Sequence, residues 1–453
     1  MQSWKQEIVR LLQQLLNDGL EAEAAEMLAE MHPVDVARVI ERLDAEEKRR
    51  VFHILDAKTA SEVVVELSDT SREDILEDME SERLAVLVDD LPSDEATDII
   101  AELPTEQAAE VLSRIDLQDT VEVNALLKYP EDSAGGIMQL ELVAAKSGQS
   151  VRDVVEAMRR KQEEVGELYN VYVVGPGNIL LGTLPLHKII TAEPGAKLDT
   201  LMEPCQVTFR ADEDQEEVVN RFRRYDVVSA PVVDEHGRLL GRITIDDVME
   251  VMEEEIREDL LQMAGGSAEE EMFYSNRILR ISRLRLPWLL TNLLGGLVTG
   301  SLLWMFKVTL TDAIFLVTFV PVITAMGGNV GIQSSTIMVR GFAVGAISYQ
   351  NLLATLLKEF RVALVMGLVC GVVVGLVAMM WHHNPVLGLV VGIAMMGAIT
   401  AASVVGTLAP AIFKRLGVDP AIASGPFVTT ANDITGILIY FSVATLFYTA
   451  LMR

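Results

Sequence analysis

Five stretches of mostly apolar residues, 287–306, 313–339, 362–381, 386–413 and 421–452, follow one another with short connections. A helix needs about 20 such residues to cross the hydrocarbon of a bilayer, because lipid offers the backbone N–H and C=O groups no partner. These stretches therefore predict five membrane spans. After Arg285 the chain keeps only seven Lys/Arg and four Asp/Glu of its 37 and 66, so the acidic excess behind the net charge of −29 precedes the first span. An acidic soluble part joined to a nearly uncharged apolar part excludes a soluble enzyme of one piece. It also argues against nucleic acid as a partner, since a phosphate backbone calls for a basic surface.

The connections carry an orientation signal. Arg277, Arg280, Arg283 and Arg285 precede the first span, Arg340, Lys358 and Arg361 separate the second from the third, and Lys414 and Arg415 separate the fourth from the fifth. The other two loops hold only Lys307 and the pair His382 and His383. By the positive-inside rule the acidic part faces the cytoplasm and the C-terminus lies outside, as an odd number of spans requires. The first residues, MQSWKQEIVRLLQQLLNDG, show no small-residue cleavage site, so no signal peptide is expected. Cys205 and Cys370 fall in different parts, which leaves neither a disulfide framework nor a thiolate metal cluster to build. Gly367, Gly371, Gly375, Gly388 and Gly392 stand at helical spacing and predict close packing of the third and fourth spans.

Two spans are unusual. PVITAMGGNVGIQSS, 321–335, and DPAIASGPFVTTANDITG, 419–436, combine Pro and Gly with polar side chains at bilayer depth. Such segments are tolerated where backbone is buried in protein or lines a water-filled path. Asp433 reads as the only acid well inside any span, and a carboxylate there is expected to face a bundle interior and an ion path. Around Asp433 and Asn329 the available groups are carboxylate, amide, hydroxyl and carbonyl, with no Cys or His, which argues against copper or zinc. A small, strongly hydrated cation that keeps several waters fits one carboxylate per chain, and two chains meeting at Asp433 would fit it better. Oxygen ligands alone leave magnesium, manganese, calcium and sodium open.

The acidic part opens on a repeat. Met31, Leu43, Leu55, Leu67, Met79, Leu91, Leu103, Ile115 and Leu127 recur every 12 residues, and apolar pairs such as Val39/Ile40, Val63/Val64 and Ile99/Ile100 fall at a fixed place between them. The spacing predicts a solenoid of helices of about ten residues, with Ser or Thr capping new helices in LPSDEATDII and LPTEQAAEVL. From about residue 150 strands alternate with helices. VYVVGPGNILLGTLPLHKII, 171–190, matches APVVDEHGRLLGRITIDDVM, 230–249, with Gly182 and Gly241 at equivalent places. These units resemble paired cystathionine-β-synthase (CBS) modules, which implies an α/β fold and makes ATP or another adenosyl nucleotide a possible ligand. The following DDVMEVMEEEIREDL, 246–260, sets eight acids against one base, and like charges four residues apart oppose a helix. Divalent cations could remove that repulsion and lock this helix against other acidic surfaces such as DDLPSDEATD, 89–98, a switch biased by differential binding.

In this order, a helical repeat, two CBS modules, an acidic connecting helix and five spans resemble the MgtE family of magnesium transporters. GGNVGIQS, DPAIASGPFVTTANDITG and PEDSAGGIM (130–138) are the most specific pieces. The resemblance implies a multidomain protein. It would comprise an all-α solenoid (1–130), an α/β tandem CBS domain (131–245), a long acidic connecting or plug helix with its linker (246–272) and an all-α polytopic membrane domain of five helices (273–453). It implies a homodimeric, gated Mg2+ channel in the lipid of a bacterial inner membrane. Asp433 of two chains would hold the hydrated ion with Asn329 near the path. Asp419 at the cytoplasmic mouth would share Mg2+ with Glu255, Glu258 and Asp259. Regulatory Mg2+ sites would use Asp214, Glu216, Asp226, Asp247, Glu250 and the Gly136 carbonyl, with Asp90 and Asp94 in the repeat. No GxxxxGK[ST] motif is present, which argues against a pump, and no nucleophile–base pair argues for an enzyme. Two other readings stay open: a less selective carrier of cobalt, manganese or calcium, and a metal or nucleotide sensor whose spans only tether it.

Overall fold

The computed structural model describes residues 2–77, 79–160, 168–263, 278–306, 314–343, 346–347, 351–423 and 425–451. The chain forms two compact units, Met1–Glu253 and Glu254–Arg453. The 264–272 linker and Arg277 lie outside the described residues.

In the first unit the 12-residue period becomes short helices: α1 (Gln2–Asn17), α2 (Glu21–Ala29), α3 (Pro33–Ile40), α4 (Ala45–Ile54), α5 (Ala57–Val65), α6 (Asp69–Leu76), α7 (Ser81–Val88), α8 (Ser93–Glu102), α9 (Thr105–Leu112) and α10 (Leu117–Leu126). Most pack on the next but one, among them α3 on α5, α5 on α7, α7 on α9 and α8 on α10. The apolar pairs from Val39/Ile40 through Ile99/Ile100 are buried and form one continuous core. The marker residues turn the corners. Leu55 is extended and buried between α4 and Asp56, whose side chain caps α5 by accepting from the Thr59 N–H at 3.1 Å. Asp44 and Glu47 form a reciprocal capping box on α4. The caps expected from Ser93 and Thr105 are absent. Pro92 and Pro104 take the cap positions, and the two hydroxyl residues stand in the first turn, where Ser93 is free to bond elsewhere.

The matched stretches fold into two copies of one module. β1 (Ala144–Lys146) pairs parallel with β2 (Asn170–Val174), which pairs antiparallel with β3 (Leu180–Pro185). β4 (Phe209–Arg210), β5 (Ser229–Val233) and β6 (Leu239–Thr244) repeat that order, with a bulge at the equivalent residues Val173/Val174 and Val232/Val233. Helices α11 (Val151–Arg160), α12 (Leu186–Thr191), α13 (Leu198–Leu201) and α14 (Gln215–Tyr225) complete the pair. Gly182 and Gly241 have a physical reason. A Cβ on Gly182 would lie 2.5 Å from the Glu203 carbonyl, and one on Gly241 would lie 2.6 Å from the Gln139 carbonyl. Each glycine admits the chain entering the other module, so Thr183 exchanges hydrogen bonds with Glu203 and Arg242 with Gln139. α15 (Ile245–Met263) then runs from the first unit into the second.

The second unit holds α16 (Ile278–Met305), α17 (Val320–Ala343), α18 (Leu352–His382), α19 (Pro385–Arg415) and α20 (Pro426–Leu446). Among the described residues these are the five helices long and apolar enough to cross a membrane. The stripe of small residues brings α18 and α19 into backbone contact: a Cβ on Gly375 would lie 2.6 Å from the Gly388 carbonyl, and one on Gly371 would lie 2.6 Å from that of Gly392. Two expectations need correction. The fifth span starts at Pro426 rather than 421, because Pro420–Ala423 is a 3₁₀ turn and Asp419 accepts the Ala421 N–H at 2.8 Å. The third span starts at Leu352, ten residues earlier than its apolar run, and so takes in Glu359. Asp433 is then not the only acid inside a spanning helix. Glu359 is 9% exposed and accepts from Ser334 Oγ at 3.3 Å, which lies 2.9 Å from Ser403 Oγ. Hydroxyls of α17 and α19 explain how this carboxylate is accommodated.

Candidate functional site

The structure gathers some of the residues singled out from the sequence into two separate settings. In the first unit, α8 presents Asp94, Glu95, Asp98 and Glu102 to the opening turns of α15, where Asp247 and Glu250 stand. A hook holds them together. Ser93 donates through its N–H and its hydroxyl to Glu141 at 2.8 Å each, and the Leu140 N–H returns to Ser93 Oγ at 2.9 Å. Gln139 Nε2 donates to Asp247 Oδ1 at 3.2 Å, while the Thr244 N–H and hydroxyl bind Asp247 Oδ2 at 3.1 and 2.8 Å.

This packing makes ionisation costly. Burial and then the charge of Asp247 hold Asp94 well above the usual carboxylate range. Burial, with Asp247 and Glu250 facing it, raises Glu95 to about 7. Asp98 also reaches about 7 through burial against the pull of Arg72, and Asp247 reaches about 6 through burial against its Thr244 bonds. Glu250 is raised by burial in spite of Arg72. Asp94 is 6% exposed and its Oδ1 has no hydrogen-bond partner among the described residues. The charges that bear on Asp94 are those of Asp247, Glu95 and Glu141, so an unpaired oxygen lies buried in an acidic environment. Among the described residues the three carboxylates close enough together to share one ion are Asp89, Asp116 and Asp119.

A carboxyl whose folded-state pKa lies above its unfolded value binds a proton more tightly when folded. Its contribution is therefore fully present below about pH 4 and is lost as pH rises toward about 7. Thermal unfolding of the full chain in detergent, without divalent cations, should show the first unit losing stability from pH 5 to pH 8. Millimolar Mg2+ should recover most of the loss at pH 8 and little at pH 5. A transition flat across that range would show that these carboxyls do not oppose the assembled fold.

Other expected ligands fall elsewhere. Asp90 is exposed and accepts from Ser61 Oγ at 3.1 Å. Asp214 caps α14 by accepting the Glu216 N–H at 2.8 Å and bridges to Ser133, while Gly136 folds onto the same loop, where a Cβ would overlap the Pro130 carbonyl. Asp226 is the left-handed cap at the other end of α14. At about 1.5 Å per residue those two ends are on the order of 15 Å apart, so Asp226 does not share an ion with Asp214 and Glu216 of its own chain. Glu255 and Glu258 ride the later turns of α15, in the second unit, and the side chain of Asp259 lies outside the described residues. Glu95, Asp98 and Glu141 were not singled out from the sequence. The acidity of 89–98 marks the first two, but nothing local marks Glu141, whose partner is 48 residues away.

In the second unit Asn329 is exposed on α17 and Asp433 half-buried on α20, helices that pack on each other. The motif glycines between them make the crossing. A Cβ on Gly331 would overlap Asn432 Nδ2, and one on Gly406 of α19 would overlap the Gly331 carbonyl. Asp419 is half-buried in the turn that leads into α20, a few residues from Lys414 and Arg415.

Comparison with known proteins bears on both settings. Residues 320–443 match the family described as MgtE, divalent cation transporter, 31–132 match its intracellular N domain, and 198–254 match the CBS domain. The chain is 38% identical over 326 residues to a magnesium transporter MgtE of Thermus thermophilus, covering 72% of each. It is 36% identical over 326 residues to that of Enterococcus faecalis, covering 72% of this chain and 71% of the relative. The crystal structure of the cytosolic domain of an Mg2+ channel MgtE in complex with ATP is 34% identical, covers 54% of this chain and 99% of its own, and superposes with a TM-score of 0.51.

Proposed function

The chain belongs to the MgtE family of magnesium transporters, and from that premise we infer a gated path for Mg2+, formed by α17 and α20 and governed by the acidic face of α8 and α15. The observation that carries the reading is a pairing. An in-span carboxylate, Asp433, offers a place for a cation to pass, and a second, soluble group of carboxyls offers a place for the same cation to be sensed. At low Mg2+ the carboxyls of α8 and α15 repel one another and the assembled state is disfavoured. As Mg2+ rises it replaces the missing counter-charge, and α15, which continues into the membrane unit, is held in the closed arrangement.

Passage is driven by the membrane potential, worth about 2.3 kcal/mol per charge per 100 mV and twice that for a dication. The first unit then faces the cytoplasm of a bacterial inner membrane and the C-terminus lies outside, in keeping with the basic residues near Arg340 and Lys414. Two chains would supply two copies of Asp433 to one ion. ATP is a fitting ligand for the CBS pair. A cavity of about 470 Å³ there is lined by Leu142, Val143, Ala144, Arg160, Asn178 and Leu240, with Arg160 as the partner for phosphate.

Magnesium uptake into proteoliposomes, with Mg2+ varied on the side of the first unit, tests the gate. Uptake should be fast at low Mg2+ and suppressed when that side holds millimolar Mg2+. Uptake that is absent, or indifferent to Mg2+ on that side, would leave a tethered sensor as the better reading.

A further inference from the structure

Asn432 has no part in the reading above, yet it sits where the two path helices touch. Its side chain is 1% exposed and its Nδ2 donates to the Gly327 carbonyl of α17 at 3.3 Å. The amide lies against Gly331, one turn further along α17, where a Cβ would overlap it. On the far side of Gly331 the carbonyl is met by Gly406 of α19, so α17 is gripped between two neighbours at one point. Asn329 stands between Gly327 and Gly331 in sequence but faces outward, and Asp433 is the next residue after Asn432.

The Oδ1 of this amide is buried and has no hydrogen-bond partner among the described residues. A buried carbonyl without a donor is unfavourable, and sequences break that rule where function demands it.

We propose that Asn432 is a positioning and specificity-determining residue for ion passage. Its bond to the Gly327 carbonyl fixes α20 against α17, and so holds the carboxylate of Asp433, the next residue, at one spacing from α17. The inference rests on the reading of α17 and α20 as the Mg2+ path. A fixed spacing favours the small ion with 2.0–2.1 Å ligand distances and reluctant dehydration over Ca2+, which accepts 2.3–2.6 Å and irregular geometry. Loosening the tie lets the spacing widen, so discrimination falls before passage does.

The test compares Mg2+ and Ca2+ uptake into proteoliposomes for wild type, Asn432→Ala and the double variant Asn432→Ala with Gly331→Ala. In the double variant the new methyl at position 331 takes up space the amide has left and meets Val428 Cγ1 at 2.9 Å, so packing is restored once that side chain shifts, but the bond is not. The expected result is a Mg2+/Ca2+ uptake ratio at least about fivefold lower in both variants, with the melting temperature of the double variant back near wild type. A double variant that recovers the wild-type ratio would show that packing alone sets selectivity. An Asn432→Ala ratio equal to wild type, or failure of both variants to fold, overturns the proposal as well. Wild-type liposomes without Mg2+ uptake would instead sink the transport reading, and the two failures are thereby told apart.

Discussion

Asp433→Ala is expected to lower Mg2+ uptake by about a hundredfold or more in liposomes where wild type conducts. A dication entering a low-dielectric span loses part of its hydration, and a carboxylate is the one strong counter-charge near the middle of α20 to offset that loss. Removing one partner of such a pair costs roughly 3 kcal/mol or more, and each 1.4 kcal/mol is a factor of ten. Asp433→Asn keeps the shape and one oxygen and should fall between the two. Because Asp433 is half-buried and α20 keeps its core contacts through Ile437, Tyr440 and Phe441, neither variant should unfold the membrane unit. A Mg2+-sensitive dye inside the vesicles reads the result. Uptake by Asp433→Ala at the wild-type rate would remove this carboxylate from the path altogether.

The two parts of the chain were not equally legible. The repeat could be read because its period is set by local geometry: a helix of eight to ten residues and a corner recur, and the buried pairs recur with them. The five spans could be read because length and apolarity alone define them, although their ends could not. Pro420–Ala423 looks apolar enough to belong to the fifth span and folds as a 3₁₀ turn, and Glu359 looks like part of a charged loop and is buried within α18. Both errors have one cause. Apolarity marks where lipid is tolerated, whereas a helix end is set by hydrogen bonds such as that of Asp419 and by distant hydroxyls such as Ser334 and Ser403. The acid group of α8 was visible only as a charge run. Which of its members are buried depends on Glu141 and Asp247, residues that come together through the fold of the CBS pair, and no local pattern in 89–98 reports that.

The burial of that group leads to a result that a simple ligand count would not give. If Asp94, Glu95 and Asp98 act only as Mg2+ ligands, neutral substitutes should destroy sensing and leave the path open at every Mg2+ concentration. The structure argues for the opposite outcome. A carboxyl raised to about 7, as at Glu95 and Asp98, is one whose charge works against the assembled state, and burial raises Asp94 in the same sense. A proton, a divalent cation and an amide all remove that charge, so they act in the same direction. The combined variant Asp94→Asn, Glu95→Gln, Asp98→Asn is therefore expected to assemble without Mg2+. Its uptake at low Mg2+ should drop to about the level wild type reaches at high Mg2+. The coupling involved is on the order of 1–3 kcal/mol, or roughly 5- to 150-fold in the open–closed ratio. Limited proteolysis of the full chain should agree, with wild type protected by Mg2+ and the variant protected in chelator as well. A variant that conducts at high Mg2+ as fast as at low Mg2+ would mean that ligation itself, rather than relief of repulsion, closes the path.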